Sequence, residues 1–226
     1  MSIETVVRLE REIARLQALQ ADALVAVATA DRVVDEFALI DPVSESERLV
    51  RVEDAVREEV AAALRWSPAT ADRRIQTARL LAGTLGEARQ SLAEGQISMG
   101  HVAVLVEAAG RLPGAAERHR RGRDGRPDAR AVAAEAEFTA ACAELQRWVL
   151  PTARRSTVAR TRQAARRAVL AIDADGQRRR REQARCTRDV YVADGLDGIS
   201  ILVARMSTER RLWLVGERST RRTILR

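Results

Sequence analysis

Side chains that could hold a metal or carry out acid–base or nucleophilic chemistry are few in this 226-residue sequence. It contains two histidines, His101 and His119, and two cysteines, Cys142 and Cys186, none at a metal-ligand spacing. We expect His101 to be a core or helix-capping residue and His119 to be solvated. Cys142 lies in an Ala-rich helical segment and reads as a small buried hydrophobe, and Cys186 has no acid or base arranged beside it. The sequence therefore predicts no enzyme, no cofactor and no metal site.

The segment 58–78 has the features of a helix-turn-helix, a motif that binds DNA. Ser67 and Pro68 predict a helix start, because serine is a preferred N-cap and proline is favoured at the first helical position. The free amide groups and the positive dipole end at such a start can meet a phosphate. Arginine and glutamine side chains can read guanine and adenine edges in the major groove. The predicted DNA-contacting positions are Ser67, Ala69, Thr70, Asp72, Arg73 and Gln76.

Apolar residues of the same segment predict how its two helices pack. Ala61 is small at the point where the helices cross. Because non-glycine residues seldom adopt a left-handed conformation, Arg65 in place of the usual turn glycine predicts a turn of different shape. An ordinary helical hairpin is the alternative interpretation. The residues expected to face inward are Val60, Leu64, Trp66, Ala71, Ile75 and Ala78.

Positive charge is clustered along the chain. The formal net charge is +7, and all 39 basic residues are arginine. A GC-rich genome explains the absence of lysine, but it does not explain the clustering. Acids are sparse over 154–188, so we favour phosphate contact over a merely solvated face there, and such contacts position a protein without reading sequence. The predicted phosphate contacts are Arg65, Arg162, Arg166, Arg178, Arg179, Arg180 and Arg181.

Hydrophobic periodicity predicts a mainly α protein, a multi-helix bundle with a long N-terminal helix, the helix-turn-helix-like element and a small C-terminal β-hairpin. The helices are expected at 1–38, 44–64, 68–81, 84–94, 99–110, 130–150, 155–171 and 175–187. The predicted regions are the N-terminal helix (1–41), the helix-turn-helix region (44–112), a flexible loop rich in Arg, Gly and Pro (113–129), a basic helical region (130–188), the hairpin (189–208) and a divergent tail (209–226).

The first helix carries a narrow apolar stripe with alternating intervals of three and four residues, which is typical of a coiled-coil seam. Gln20 alone interrupts it, and one polar residue on a seam can fix register. Two roles for this stripe stay open, namely pairing of two chains as a homodimer and packing of the helix within its own domain. The stripe consists of Val6, Leu9, Ile13, Leu16, Ala23, Val27, Ala30, Val34 and Phe37.

The sequence contains no pattern typical of a secreted or membrane-spanning protein. The first residues lack the basic and apolar regions of a signal peptide, and no apolar stretch approaches the length of a membrane span. We therefore expect a cytoplasmic protein.

Two resemblances support a link with DNA. The segment Leu92–His101 reads Leu-x-x-Gly-x-Ile-Ser-x-x-His, and together with 58–78 it resembles the DNA-binding region of ParB-type partition proteins. From about 50 to 205 the chain resembles the domain of unknown function 222 (13E12-repeat) family of high-GC bacteria. This second resemblance rests on Val60 to Ala71, Leu92 to His101, Trp148 to Ala153, Arg162 to Leu170, and Tyr191-Val192 with Asp197-Gly198.

The second resemblance implies a DNA-associated role, because members of that family often carry a C-terminal HNH endonuclease domain. An HNH site needs clustered His and Asn or His ligands, whereas this sequence has two histidines and no asparagine. We therefore expect a DNA-binding module that lacks the nuclease domain. Two alternatives stay open, namely a protein–protein scaffold and a truncated, non-functional remnant of a longer HNH endonuclease.

Overall fold

The computed structural model describes residues 2–29, 45–119, 127–176, 178, 189–194 and 200–205. They fall into two compact units, Met1–Asp173 and Ala174–Arg226. The described residues are mainly helical, which confirms the predicted fold class at that level.

The first unit contains seven α-helices and one short 3-10 turn among its described residues. The helices are α1 (Ile3–Thr29), α2 (Glu45–Leu64), α3 (Pro68–Ala82), α4 (Gly86–Ala93), α5 (Met99–Ala109), α6 (Ala129–Ala153) and α7 (Val158–Ile172); the 3-10 turn is Glu117–His119. The predicted stretch 1–38 is thus described as a helix only to Thr29. The predicted loop 113–129 is described only at 113–119 and 127–129.

Two boundaries differ from the sequence-based expectation for physical reasons. We expected the sixth helix to end before Pro151, but α6 continues to Ala153, because a proline in the last turn removes only one hydrogen-bond donor there. We expected the seventh to start at 155, whereas Thr157 is its N-cap and accepts a hydrogen bond from the Arg160 amide.

The second unit contains a short helical stretch and two strands in its described part. Residues 174–176 and 178 are helical, and the rest of the helix expected at 175–187 lies outside the described residues. Strands β1 (Asp189–Asp194) and β2 (Ser200–Arg205) pair antiparallel, with Asp189 opposite Arg205. The connection 195–199 is not among the described residues, so the hairpin over 189–208 stays a prediction.

Helix α1 lies on the first unit through small residues. Ala14, Ala18, Ala21 and Leu24 are buried, and the helix packs against α3 and α4. Alanine allows such helices to approach closely, which suits a sequence with only 3% aromatic residues. The predicted stripe faces the other way, because its described members from Val6 to Val27 are exposed. Ala30, Val34 and Phe37 lie outside the described residues.

The centre of the first unit is formed by α5, α6 and α7. Leu105 of α5, Phe138 and Leu145 of α6 and Ala168 of α7 are almost completely buried. Helix α6 packs against α7, and α5 packs against both. Burial of this apolar surface, at roughly 25 cal/mol per Å², is the main force that holds the helices together.

One buried amide ties α4 to α6. The Gln146 side-chain oxygen accepts a hydrogen bond from the Ala88 amide at 3.0 Å, and its nitrogen donates to the Thr84 carbonyl at 2.9 Å. Helix α4 begins after Leu85, which offers no capping side chain, so Gln146 satisfies one of the free amides of its first turn. A residue from another helix thus replaces the local cap.

The Cys142 thiol is fully buried on α6, as predicted, and burial raises its pKa to about 11. In the unfolded chain the thiol ionises near 9.0, whereas in the folded protein it stays neutral to higher pH. The raised pKa therefore stabilises the fold below about pH 9, and this contribution is lost as pH rises towards 11.

We expect the free energy of unfolding to fall between pH 8.5 and 11, with up to roughly 3 kcal/mol of the loss due to this thiol. Urea unfolding over that pH range measures the loss. Cys142→Ala is the control, because it removes this thiol and keeps the pH dependence that other groups cause. A pH dependence equally steep in both proteins would contradict this account of Cys142.

Candidate nucleic-acid interface

Helices α2 and α3 are joined by a tight turn in which Arg65 adopts a left-handed conformation. Its φ is 55°, so the expectation of a differently shaped turn is wrong. The reason is a complete Schellman pair of hydrogen bonds, in which the Trp66 amide donates to the Ala61 carbonyl at 2.9 Å and the Arg65 amide donates to the Ala62 carbonyl at 3.3 Å. These bonds end α2 and hold Arg65 in a conformation that usually belongs to glycine.

Replacing Arg65 by glycine is expected to stabilise the protein. The left-handed conformation costs a non-glycine residue about 1–2 kcal/mol, and the greater freedom of glycine in the unfolded chain cancels part of the gain. We expect a net increase of about 0.5–1 kcal/mol in the free energy of unfolding, measured by urea denaturation. Glu59→Gly, an exposed position inside α2, should instead lower stability by about 1 kcal/mol. A loss of stability in both variants would contradict the strain assigned to Arg65.

Ser67 caps α3 as predicted. Its backbone is extended, and its hydroxyl oxygen accepts a hydrogen bond from the Thr70 amide at 3.2 Å. The Thr70 hydroxyl lies 2.9 Å from the same oxygen, and this side chain is only partly exposed. Thr70 therefore belongs to the cap, and its hydroxyl is less open to a ligand than its position in the sequence suggested.

The other predicted contact positions form an open surface on α3. Ser67, Ala69, Asp72, Arg73 and Gln76 are all exposed. The opposite side of the helix is buried through Ala71, Ile75 and Ala78, as the periodicity predicted. The first unit therefore leaves the proposed contact face of α3 uncovered.

The packing predictions for the first helix of the motif are correct except at one position. Val60 and Ala61 are buried, and Trp66 is partly buried. Leu64 was expected to face inward but is 42% exposed. It lies on the same side of α2 as Val60 but is the last residue of the helix, one turn nearer its open end.

Arg74 is a residue of this site that the sequence analysis missed. Its guanidinium lies over the Trp66 ring, 5.5 Å from the ring centroid, and this cation–π contact joins the turn to α3. The signal was present in the sequence as a tryptophan just before the capped helix and an arginine two turns into it. The contact fixes one of the three arginines of α3 against the turn.

Charge differs sharply between the two helices of the motif. Helix α2 contains six acidic residues and three arginines, and its Arg57 is held by Asp54 and Glu58 at 2.6 and 3.0 Å. Helix α3 contains one acid and three arginines. An acidic helix repels a phosphate backbone, so any phosphate contact by this element falls to Arg65 and α3.

Helix α7 provides a second basic surface. It contains four arginines and no acid, and Arg162 and Arg166 lie one turn apart in a groove between α5 and α7. The groove also contains Arg111, which is paired with Glu107 at 2.7 Å. The exposed arginines of α7 are Arg160, Arg162, Arg166 and Arg167.

The remaining predicted phosphate contacts belong to the second unit. Arg178 is exposed. Arg179, Arg180 and Arg181 lie outside the described residues, so their role stays a prediction.

The Leu-x-x-Gly-x-Ile-Ser-x-x-His segment is a structural joint between α4, α5 and α7. Gly95 has a φ of +68°, and a Cβ placed on it would stand 3.0 Å from the Arg11 carbonyl oxygen of α1, so only glycine fits without strain. Ser98 is the N-cap of α5, and Leu92 and Ile97 are buried. Every defined residue of the pattern thus has a packing or turn role.

His101 completes this joint as a capping residue, as predicted. Its Nδ1 accepts a hydrogen bond from the Ser98 amide at 3.2 Å, which leaves the ring proton on Nε2. Nε2 then donates to the Ser156 carbonyl at 3.0 Å, just before α7. The histidine therefore connects the starts of α5 and α7 through hydrogen bonds within the chain.

The described residues offer neither a metal site nor a membrane span. They contain no group of three or more His, Cys, Asp or Glu residues able to hold a metal ion. Within the same part of the chain, no helix combines the length and apolar character needed to cross a membrane.

Comparison with protein families gives one match, to the family described as a domain of unknown function, DUF222, over residues 10–137. No curated protein and no solved structure matches the chain. The matched range includes most of α1, all of α2 to α5 and the first third of α6. Because it covers more than half of the sequence, the chain belongs to the DUF222 family.

Proposed function

We propose that this chain binds double-stranded DNA, with α3 as the helix that enters the major groove. The observation that carries the proposal is the exposed face of α3, where Arg73 and Gln76 lie beside an N-terminus capped by Ser67. Arginine pairs bidentately with guanine, and glutamine pairs with adenine. Pro68 has no amide proton, and the Thr70 amide is capped by Ser67. In the first turn the Ala69 amide, together with the Arg65 side chain, would therefore meet an adjacent phosphate.

The four exposed arginines of α7 would supply contacts to the phosphate backbone. With no acid on the helix to neutralise them, they present a net charge of +4 over 15 residues. Each neutralised phosphate releases condensed counterions, so binding should weaken steeply as salt rises. These contacts would raise affinity for all sequences alike, whereas α3 would provide preference among them.

The resemblances noted in the sequence support the same proposal. The likeness to ParB-type proteins includes the segment from the last turns of α2 to the start of α5, and proteins that resemble this chain often carry an HNH endonuclease domain. On this proposal the chain is an HNH-associated DNA-binding module and not itself an enzyme, and it acts in the cytoplasm, where bacterial DNA lies.

Neutralising two arginines of α7 tests the phosphate contacts. Arg162→Gln with Arg166→Gln should weaken binding to every duplex alike and lower the slope of log K against log salt by about two. The matched control is Arg15→Gln with Arg147→Gln, which removes the same charge at exposed residues paired with Glu12 and Glu144. Equal weakening by the two pairs would show an effect of net charge alone and would overturn the assignment of α7.

A further inference from the structure

Helix α1 carries most of the exposed apolar surface of the described chain. Twelve large apolar residues are exposed among all the described residues, and eight of these twelve lie on α1. They are Ile3, Val6, Val7, Leu9, Ile13, Leu16, Leu19 and Val27. Single exposed apolar residues are common, but five of these, Val6, Leu9, Ile13, Leu16 and Val27, fall in one row along the helix, and such a row marks an interaction surface.

The first part of α1 contributes no buried residue to its own unit, although Gly95 lies against Arg11. No residue from Ile3 to Ile13 is buried, and the buried face begins at Ala14. A helical stretch of about 11 residues is marginal in water by itself, so a partner on this apolar arm would stabilise it. The remainder is fixed by burial and by the bidentate pair of Asp22 with Arg89, at 2.6 and 2.7 Å.

The spacing of the exposed row identifies the partner as another helix. Val6, Ile13, Gln20 and Val27 recur every seven residues, and Leu9, Leu16 and Ala23 follow each of the first three by three. These are the a and d positions of a two-stranded coiled coil. The seam defined by these seven residues extends over about 30 Å at 1.5 Å per residue.

We infer that the partner is a second copy of this chain, and that the two α1 helices pair in parallel and in register. Gln20 is the reason, because a polar side chain at an a position is left without a hydrogen-bond partner against an apolar helix. In a parallel pair in register, each Gln20 faces the Gln20 of the other copy, and their amides can bond to each other.

The residues that flank the seam are compatible with this arrangement. In a parallel coil the g residue of one helix faces the e residue of the next heptad in the other. Here Thr5 faces Glu10 and Glu12 faces Gln17, so no like charges meet; in the third pair, Leu19 with Leu24, Leu24 is already buried in its own unit. The arginines of this part of α1, Arg8, Arg11 and Arg15, fall at c and f, away from the seam. A two-stranded seam of about 30 Å is expected to bury less than the roughly 800 Å² per partner of a standard interface, so we expect a micromolar dimer.

Sedimentation of the full chain between 1 and 100 µM tests the inference, which does not depend on DNA binding. We expect twice the mass of one chain at the upper concentrations. Ile13→Glu with Leu16→Glu should be a monomer throughout, whereas Val132→Glu with Leu170→Glu, at exposed apolar positions of α6 and α7, should still dimerise. A monomeric unmodified chain at 100 µM would overturn the inference. An equal loss of dimerisation in both double variants would also overturn it. An unchanged thermal unfolding midpoint at 1 µM checks that each variant is folded.

Crosslinking tests the orientation separately. In a Cys186→Ser background that keeps Gln20, Ile13→Cys should form a disulfide-linked dimer on oxidation, because a positions meet their own copies only in a parallel pair in register. Cys142 is buried and does not interfere. A dimer that forms no crosslink at this position would overturn the parallel register.

Discussion

Replacing Arg73 and Gln76 together by alanine is expected to remove most of the sequence preference of the protein for DNA. Each good bidentate contact with a base contributes about 1–3 kcal/mol of discrimination, so the affinity for a selected duplex should fall by roughly 30-fold or more. Binding to random duplex should fall far less, because the arginines of α7 and their phosphate contacts are untouched. Fluorescence anisotropy with a selected and a random duplex of equal length measures both.

The matched control for this variant is Arg147→Ala with Gln90→Ala, which removes the same two side-chain types from exposed positions of α6 and α4. It should keep the ratio of the two affinities. If the ratio of the affinities for selected and random duplex stays high in the Arg73 and Gln76 variant, α3 is not the helix that reads the DNA sequence, even if DNA binding itself persists.

The largest loss of stability is expected from Gly114→Ala. Gly114 has a φ of +76°, and a Cβ at this position would fall on the Ala134 carbonyl oxygen and lie 3.1 Å from the Phe138 amide. The left-handed conformation and the clash with the backbone of α6 should together lower the free energy of unfolding by about 3 kcal/mol or more. Urea denaturation measures the change.

Gly86→Ala is the control for this substitution. Gly86 is the first residue of α4, and a Cβ there would meet nothing within 4 Å. Alanine favours a helix over glycine by up to about 1 kcal/mol, so this variant should be slightly more stable than the unmodified protein. Similar unfolding midpoints for the two variants would show that the approach of Gly114 to α6 is not a constraint.

The sequence predicted those parts of the candidate site that depend only on residues close together in the chain. Ser67 and Pro68 mark the start of α3 because a cap involves only neighbouring residues. The spacing of Ala71, Ile75 and Ala78 identified the buried side of the same helix, and hence its exposed side. The positive φ of Arg65 was missed, because the hydrogen bonds that impose it depend on how α2 ends.

Contacts between distant residues could not be read from the sequence. Gln146 caps α4 from 58 residues away, and His101 donates to a carbonyl 55 residues along the chain. Neither pairing leaves a periodic signal, since each depends on how whole helices are packed. The stripe of α1 shows the same limit, because its spacing predicted a seam while only the structure identifies Ala14 and Ala18 as the face packed on the first unit.

The most direct test of DNA binding by this chain is a salt titration of the unmodified full chain with a duplex. We predict a micromolar or tighter dissociation constant at low salt, with log K falling linearly as log salt rises. Absence of binding at low salt, or an affinity that does not change with salt, would contradict the proposal.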